Sequence, residues 1–498
     1  MSFFKAYDMR GTFGSDFDLD TVYKVGKALP AVIQKANAAI PADGPLSAGR
    51  CPLSSRPRIL VGRDCRVTSK DVRDALVRGL SEAGADVTDL GLCTTPMVYF
   101  FTAEDGYDGS VMITASHNPP SDNGLKVSMR GALPVGYANG LNEVERMVAE
   151  SGEAESFPLQ GKGEDARCRS GEDTASPFVR RYVDWQFKQS DNQTIKQLRY
   201  AVDCSNGMAS LLVHELFPGA IVINDALDGT FPNHSPNPLK AEAREQIAAL
   251  VREKGLDCGV IFDGDADRCM FVDEKGDFVQ PDYLIPIVAR ATQAAIGRAS
   301  CSSDSRISRG PGMSGNRVIH DVRTSRGAIE EIRRMGCEPL MVPVGHAFAK
   351  PILRESGAVC GGELAGHYYF REFHCCDSGV LAALRILGEI AKAKTEGRTF
   401  SEMMKPIIGV YDNSGEINFK VEDKEAAIAR ALAAAKGRFP QEVARSEIDG
   451  IRIEYAEGWV NIRKSNTEPY LRLIVECDTA DRMKNWVEIL KGAINDEK

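Results

Sequence analysis

Ser116 and His117 stand side by side in the loop Thr114-Ala-Ser-His-Asn-Pro119, directly after the apolar run Gly109-Ser-Val-Met-Ile113. A strand that ends in such a loop presents its side chains where open α/β sheets bind ligands. Ser116 is a candidate nucleophile and His117 its candidate partner. Neighbours in sequence do not readily aim at each other, so the pair is not a Ser-His-Asp triad. A polar turn closed by Asn118-Pro119-Pro120 accounts for the same residues. The second group is Asp263-Gly-Asp-Ala-Asp-Arg268. Three carboxylates at alternate positions after an apolar strand repel one another unless a cation sits among them. Hard oxygen ligands of this kind suit Mg²⁺ or Ca²⁺. Asp263, Asp265, Asp267 and Glu274 fall at EF-hand positions, but Arg268 stands where that loop needs Gly, and a strand precedes it. A metal site of another type is expected, with a solvated acidic loop as the alternative.

Two further groups are weaker. Gly361-Gly-Glu-Leu-Ala-Gly-His367 carries Glu363 and His367 on a turn that can hydrogen-bond a polyhydroxyl ligand, and taken alone a plain turn explains it better. Arg463-Lys-Ser-Asn-Thr-Glu-Pro469, with Arg472 beyond it, offers two guanidinium groups and several side-chain donors for a phosphate; a helix cap or loop is the competing reading. Tyr7-Asp-Met-Arg-Gly11 and Val61-Gly-Arg-Asp-Cys-Arg66 each set charge beside Gly near the start. His374, Cys375 and Cys376 have no second Cys/His pair at zinc-site spacing.

These residues need a scaffold of alternating strands and helices. Arg58–Gly62, Ala85–Leu90 and Gly109–Thr114 read as strands, with an amphipathic helix over Ser69–Gly84 and another opening at Thr94. The same order returns at Tyr200–Asp203, a helix from Gly207, Ala220–Ile223, a helix over Glu242–Lys254 and Cys258–Phe262. It returns again at Arg317–Val322, Gly327–Met335, Pro339–Val342, Gly345–Glu355 and Ala358–Cys360. Such grammar gives largely parallel sheets covered by helices. The final hundred or so residues differ. Strands Glu416–Phe419, Gly450–Tyr455, Trp459–Ile462 and Leu471–Glu476, with helices Lys424–Lys436 and Asp481–Ile494, form an α+β module with an antiparallel sheet. Polar linkers are expected at 151–176 and 298–316, the second as a mobile loop.

Composition sets outer bounds. The chain has 498 residues, 43% hydrophobic and 26% charged. That is globular and fits about three domains as a prior. The formal charge of −9 disfavours nucleic acid as a partner. No apolar run approaches the roughly 18 residues of a membrane span. The start has no secretory-signal pattern, and the 13 cysteines are odd in number and scattered. A reduced, cytoplasmic protein is expected.

The motifs taken together, in order from Tyr7 to Arg472, resemble those of the α-D-phosphohexomutases, in the phosphomannomutase/phosphoglucomutase branch. The resemblance implies three similar mixed-sheet α/β domains plus a C-terminal α+β domain, heart-shaped around one cleft. It divides the chain into a phosphoserine-loop domain (1–170), a metal-binding domain (171–279), a sugar-recognition domain (280–399) and a phosphate-clamp domain (400–498). It implies a mutase that interconverts hexose 1- and 6-phosphates of mannose or glucose, with amino-sugar phosphates as the alternative and a silent sugar-phosphate binder as a distant one. Ser116 matches the phosphorylated serine. Asp263, Asp265 and Asp267, with the Ser116 phosphate, match the ligands of one Mg²⁺. Lys126 matches a general acid/base, whose ammonium would need its pKa lowered by neighbouring cations to accept a proton. Arg10, His117 and Arg268 match groups around the phosphoserine. His346, with Gly345 and Lys350, matches a substrate-contacting loop, and Glu363 and His367 match sugar-hydroxyl ligands. Arg463, Ser465, Asn466, Thr467 and Arg472 match the clamp on the non-reacting phosphate. Hexose 1,6-bisphosphate is implied as intermediate and activator, and sugar phosphates as the only partners, in a monomer or dimer. Ala365 stands where many members have Ser, a loss of one hydrogen bond on the order of 1 kcal/mol. Asp377-Ser378 replaces a more usual Asp-Asp pair.

Overall fold

The computed structural model describes residues 3–40, 56–152, 169–170, 177–190, 192–300, 316–465 and 470–495. Asn466 and Thr467, most of the expected linker 151–176 and residues 301–315 of the expected loop 298–316 lie outside them. Four sheets follow one another along the chain. The first has Arg58–Arg63 at its centre, parallel to Asp86–Leu92 on one side and Gly109–Ile113 on the other. Gly109–Ile113 is buried at every residue and Arg58–Arg63 at its four central ones, as expected of strands covered on both faces. Asp122–Met129 then returns antiparallel to Gly109–Ile113, and Met9–Thr12 pairs antiparallel with it at the edge. The sheet is therefore mixed. The returning strand brings Lys126 across from Met112, back to the end of the sheet where Ser116 emerges.

The second sheet runs Ile221–Ile223, Tyr200–Asp203 and Cys258–Phe262 in parallel, followed by the antiparallel Cys269–Val272. The tight reversal between the last two strands is the acidic loop. The helix expected from Gly207 is absent. A 3₁₀ turn, Met208–Leu211, and one helical turn, Val213–Leu216, take its place. Pro218-Gly219 stops propagation. Gly207 also lies so close to Gly264 that an added Cβ would sit 2.6 Å from that carbonyl oxygen. The third sheet joins Arg317–Asp321 in parallel to Glu338–Val342 and to Cys360–Gly362. The last of these lies two residues later than the expected Ala358–Cys360. Tyr368–Phe370 turns back on it antiparallel, so Glu363 and His367 face each other across one reversal.

Helix Gly379–Thr395 was not legible from amphipathic periodicity because it is buried on nearly every face. Ser378 caps it, its side chain accepting from the Leu381 N–H at 3.1 Å. Gly379 makes this helix start possible beside the acidic loop, since a Cβ there would stand 2.6 Å from the Arg268 carbonyl.

One buried apolar cluster runs through the first three units, from Leu60 to Ile407. The last unit has its own, built from Phe419, Trp459's neighbours Val460 and Ile462, and Trp486. Helices Lys424–Ala435 and Ala480–Asn495 lie against its antiparallel sheet. It is joined to the third unit by polar contacts. Arg326 donates to Tyr455 O at 2.7 Å and Gly458 O at 2.9 Å. Arg452 donates to Val322 O at 2.6 Å and Thr324 O at 3.0 Å.

Close to this junction Asp282 is buried, and its carboxylate accepts from the Ser325 N–H at 2.9 Å. Burial first, then Glu476 and Asp321, push its carboxyl from 3.8 to about 7. The native state thus holds a proton that the unfolded chain has released, so stability falls as pH rises from 3.8 to about 7. Asp282→Asn is expected to melt higher than the parent at pH 8. The advantage is bounded by about 4 kcal/mol and fades toward pH 4, as thermal denaturation at the two pH values will show.

Candidate active site

Thr114 closes the strand end by accepting the Ser116 N–H at 2.8 Å. Ser116 then adopts φ 52, a left-handed conformation uncommon for a residue with a side chain. That conformation corrects the expectation that neighbours cannot meet. His117 Nδ1 lies 3.3 Å from Ser116 Oγ. Ser116 Oγ itself donates to Asp263 Oδ2 at 2.8 Å, across the junction of the first and second units. Arg268 Nη2 reaches Ser116 Oγ at 3.3 Å and donates to His117 Nδ1, which leaves the imidazole proton on Nε2. Burial, then the positive charge of Arg268 and Arg10, keeps His117 neutral, its pKa well below the ordinary value.

The three aspartates converge as expected: Asp263, Asp265 and Asp267 are all buried, with carboxylate oxygens within 4.8 Å of one another. Asp265 Oδ1 and Asp267 Oδ1 have no hydrogen-bond partner among the described residues. Three buried hard oxygens, two of them otherwise unmatched, fit a divalent cation such as Mg²⁺. Burial, then Asp267 and Asp265, push the Asp263 carboxyl well above its ordinary range, another mark of a site built for positive charge. Glu274 turns away and accepts from Ser401 Oγ at 2.6 Å, so the EF-hand alternative is excluded.

Lys126 lies 2.7 Å from Asp265 Oδ2 and 2.6 Å from Asp267 Oδ2. These carboxylates act against the lowering expected from neighbouring cations. Burial favours loss of its proton, but the Asp265 and Asp267 carboxylates outweigh it and hold Lys126 as an ammonium. Arg10 pairs with Asp8 at 2.6 Å and donates to Asn118 Oδ1 at 3.2 Å, on the loop that carries Ser116.

The third unit supplies the far wall. The Arg268 and His367 backbones bridge antiparallel. His367 Nδ1 lies 2.7 Å from Asp377 Oδ2, and Lys350 Nζ is 2.8 Å from Asp377 Oδ1. Asp377, noted in the sequence only as one half of an altered pair, therefore orients both basic groups. Against the opposing effect of burial, Lys350 and then His367 hold its carboxyl well below the usual range. Glu363 Oε2 accepts the Gly345 N–H at 3.1 Å, and Oε1 accepts from Tyr369 OH at 2.5 Å. His346 follows Gly345, its ring 6.0 Å from that of His367 and 6.3 Å from that of Tyr7.

Two residues that sequence reasoning missed connect this wall to Arg463 and Arg472. Arg323 is buried, 2.6 Å from Asp321, 3.9 Å from Glu363 and 3.6 Å from Glu416. Glu416 in turn holds Arg463 at 3.0 Å and Arg472 at 2.7 Å. Arg463 and Arg472 are direct cross-strand partners, which explains their spacing. The Ser465 N–H donates to Tyr470 O at 2.9 Å. The signal for Glu416 was its place before the strand Ile417–Phe419, and nothing there marks it as a partner of two arginines. Lone arginine and glutamate positions of this kind acquire meaning only when the sheets are assembled.

The arrangement sets a buried serine beside three aspartates that could hold a cation, and links them through Glu363, Arg323 and Glu416 to a separate pair of arginines. Models of the phosphoglucomutase/phosphomannomutase family match the chain in order: the first, second and third alpha/beta/alpha domains at residues 1–155, 177–276 and 298–411, and the C-terminal domain at 416–492. The chain belongs to the phosphoglucomutase/phosphomannomutase family. It is 34% identical over 481 residues to phosphohexose mutases of Xanthomonas campestris pv. campestris, covering 95% of this chain and 94% of the relative. It is 34% identical over 499 residues to a phosphomannomutase of Escherichia coli, covering 98% of each. A phosphoglucomutase/phosphomannomutase family protein of Burkholderia thailandensis superposes with a TM-score of 0.75 at 25% identity, over 99% of this chain and 96% of that one.

Proposed function

We propose that this chain is a phosphohexomutase that interconverts the 1- and 6-phosphates of mannose, glucose or both through phosphorylated Ser116 and a hexose 1,6-bisphosphate. The observation that carries the reading is the Ser116 hydroxyl, 2.8 Å from Asp263 at the rim of three buried carboxylates, with Arg268 beside it. Phosphoryl transfer depends on positioning and on neutralised charge more than on covalent help. Asp263, Asp265 and Asp267 would hold Mg²⁺ together with the Ser116 oxygen or its phosphate. Such an ion supplies charge neutralisation on the transferring group.

The chain's own groups do the rest. Arg268 and Arg10 set positive charge around the phosphoserine, and neutral His117, fixed by Arg268, shapes the pocket without adding charge. In one half-reaction the bond from Ser116 Oγ to phosphorus breaks as a sugar hydroxyl takes the phosphoryl group. In the other the bond reforms with the second phosphate of the bisphosphate. The proton of the attacking sugar hydroxyl must end on the departing Ser116 oxygen. Lys126 is suited to carry it, giving its own proton to the departing oxygen and taking that of the hydroxyl in return, and the second half-reaction runs the same transfer backwards. Glu363 and His367, each fixed by its own partners, would accept and donate to sugar hydroxyls, with His346 beside them. Arg463 and Arg472, with Ser465, Asn466 and Thr467 next in sequence, would grip the phosphate that is not reacting. Arg463→Lys keeps the charge and loses the planar fork. It is expected to raise the sugar-phosphate KM roughly tenfold with kcat within about threefold, measured in a coupled assay.

Among the described residues no helix is long and apolar enough to cross a membrane, in keeping with an enzyme of small, soluble sugar phosphates. The test of the reading is a panel of mannose, glucose, glucosamine and N-acetylglucosamine 1-phosphates with added hexose 1,6-bisphosphate. Turnover of mannose or glucose 1-phosphate supports the reading. Exclusive turnover of an amino-sugar phosphate assigns the same chemistry to the other sugars, and no turnover of any overturns the reading.

A further inference from the structure

The motif Val61-Gly-Arg-Asp-Cys-Arg66 plays no part in the chemistry above, yet its last residue is tied to the nucleophile. The Arg66 side chain is wholly buried. Nη2 donates to Ser116 O and Asn118 O, both at 2.8 Å. Nη1 donates to Pro119 O at 2.6 Å and Asp122 O at 2.9 Å. Nε donates to Asp64 Oδ2 at 3.1 Å, and Asp64 Oδ1 also accepts the Arg66 N–H at 3.0 Å. Every N–H of the guanidinium is therefore used, most of them on backbone carbonyls of the loop that holds Ser116. A buried cation with so few negative neighbours is stable only because those carbonyls are pinned around it. From the second unit, Phe231 lays its ring 5.0 Å from the guanidinium. Gly229 comes so near that an added Cβ would sit 2.4 Å from Arg66 Cα.

We infer that Arg66 is a positioning residue: it holds the backbone of residues 114–122 so that Ser116 keeps its left-handed turn and its hydroxyl stays on Asp263. It touches no reacting atom. Ser116 carries a φ of 52, a conformation that persists only where surrounding bonds determine it. Arg66 bonds the Ser116 carbonyl itself and the carbonyls of two of the next three residues. Lysine cannot substitute, because it has no planar fork to reach four carbonyls at once. The inference rests on the mutase reading for its effect on turnover, and not for its effect on the loop.

The experiment uses Arg66→Lys in the full chain, with hydrogen exchange of the loop and steady-state mutase kinetics. Exchange over residues 114–122 is expected to quicken while the strand Gly109–Ile113 keeps its protection. The expected kcat falls roughly 100-fold, the size of a small misplacement of a reacting group, with KM within about threefold. Phe231→Leu, which leaves Arg66 in place and removes the ring over it, is expected to give the same pattern at roughly tenfold in kcat. Wild-type exchange over 114–122, or a kcat within about threefold of wild type, in Arg66→Lys overturns the inference. Should Arg66→Lys lose protection throughout the chain, wild-type values of both readouts in Phe231→Leu overturn it. Exchange is read without substrate, so absence of turnover in the wild-type protein removes the mutase reading while the loop's dependence on Arg66 is still decided.

Discussion

Replacing Ser116 with alanine is expected to lower mutase turnover by about ten-thousand-fold or more, with the fold intact. The hydroxyl is one oxygen in a buried site, and it makes a 2.8 Å hydrogen bond to Asp263. Its loss costs on the order of 1 kcal/mol of stability, too little to unfold a chain with these cores. Its loss to the chemistry is complete, because the one other side-chain hydroxyl that bonds these aspartates among the described residues, that of Thr95, is already donated to Asp265. The measurement is the rate of sugar 1-phosphate isomerisation at saturating hexose 1,6-bisphosphate, beside a melting curve. A Ser116→Ala protein that folds and turns over within tenfold of wild type would remove Ser116 from the mechanism.

Lys126→Met has the second-largest expected effect, and it has two parts. Turnover falls by about 10²–10⁴-fold, the usual contribution of a positioned acid or base. Stability also falls, because Asp265 and Asp267 lose the ammonium that lies 2.7 and 2.6 Å from them. Removing one partner of a buried ion pair costs about 3–5 kcal/mol. Lys126→Arg separates the two parts. It restores charge opposite the carboxylates and the melting temperature with it, but a guanidinium does not release its proton, so turnover stays low. Wild-type kcat in Lys126→Arg would confine Lys126 to a structural role.

The contrast between Lys126 and Ser116 also shows what a sequence can carry. Ser116 is readable because a polar loop follows a strand of buried apolar residues. The aspartates are readable because their mutual repulsion demands a cation. Lys126 is placed by a strand, Asp122–Met129, whose antiparallel return is not implied by alternating strands and helices. Its charge state is likewise a property of assembly, since the carboxylates that hold its proton lie about 140 residues away. Arg323, Glu416 and Asp377 were missed for the same reason: each is a single polar residue whose partners come from other elements. Gly379–Thr395 was missed because a helix buried all round has no polar face to give it a period. Much of the strand and helix order and the main motifs were legible because local pattern determines them. The links between motifs were not, because they depend on which sheets come together.

In the proposed mechanism a phosphoryl group moves between two oxygens of one sugar by way of Ser116. Phosphorus NMR of mannose 1-phosphate incubated with the protein, Mg²⁺ and a trace of hexose 1,6-bisphosphate tests it most directly. The expected result is replacement of the 1-phosphate resonance by that of the 6-phosphate, with no growth of inorganic phosphate and no conversion by Ser116→Ala. An unchanged 1-phosphate signal, or inorganic phosphate rising in step with its loss, would contradict the account.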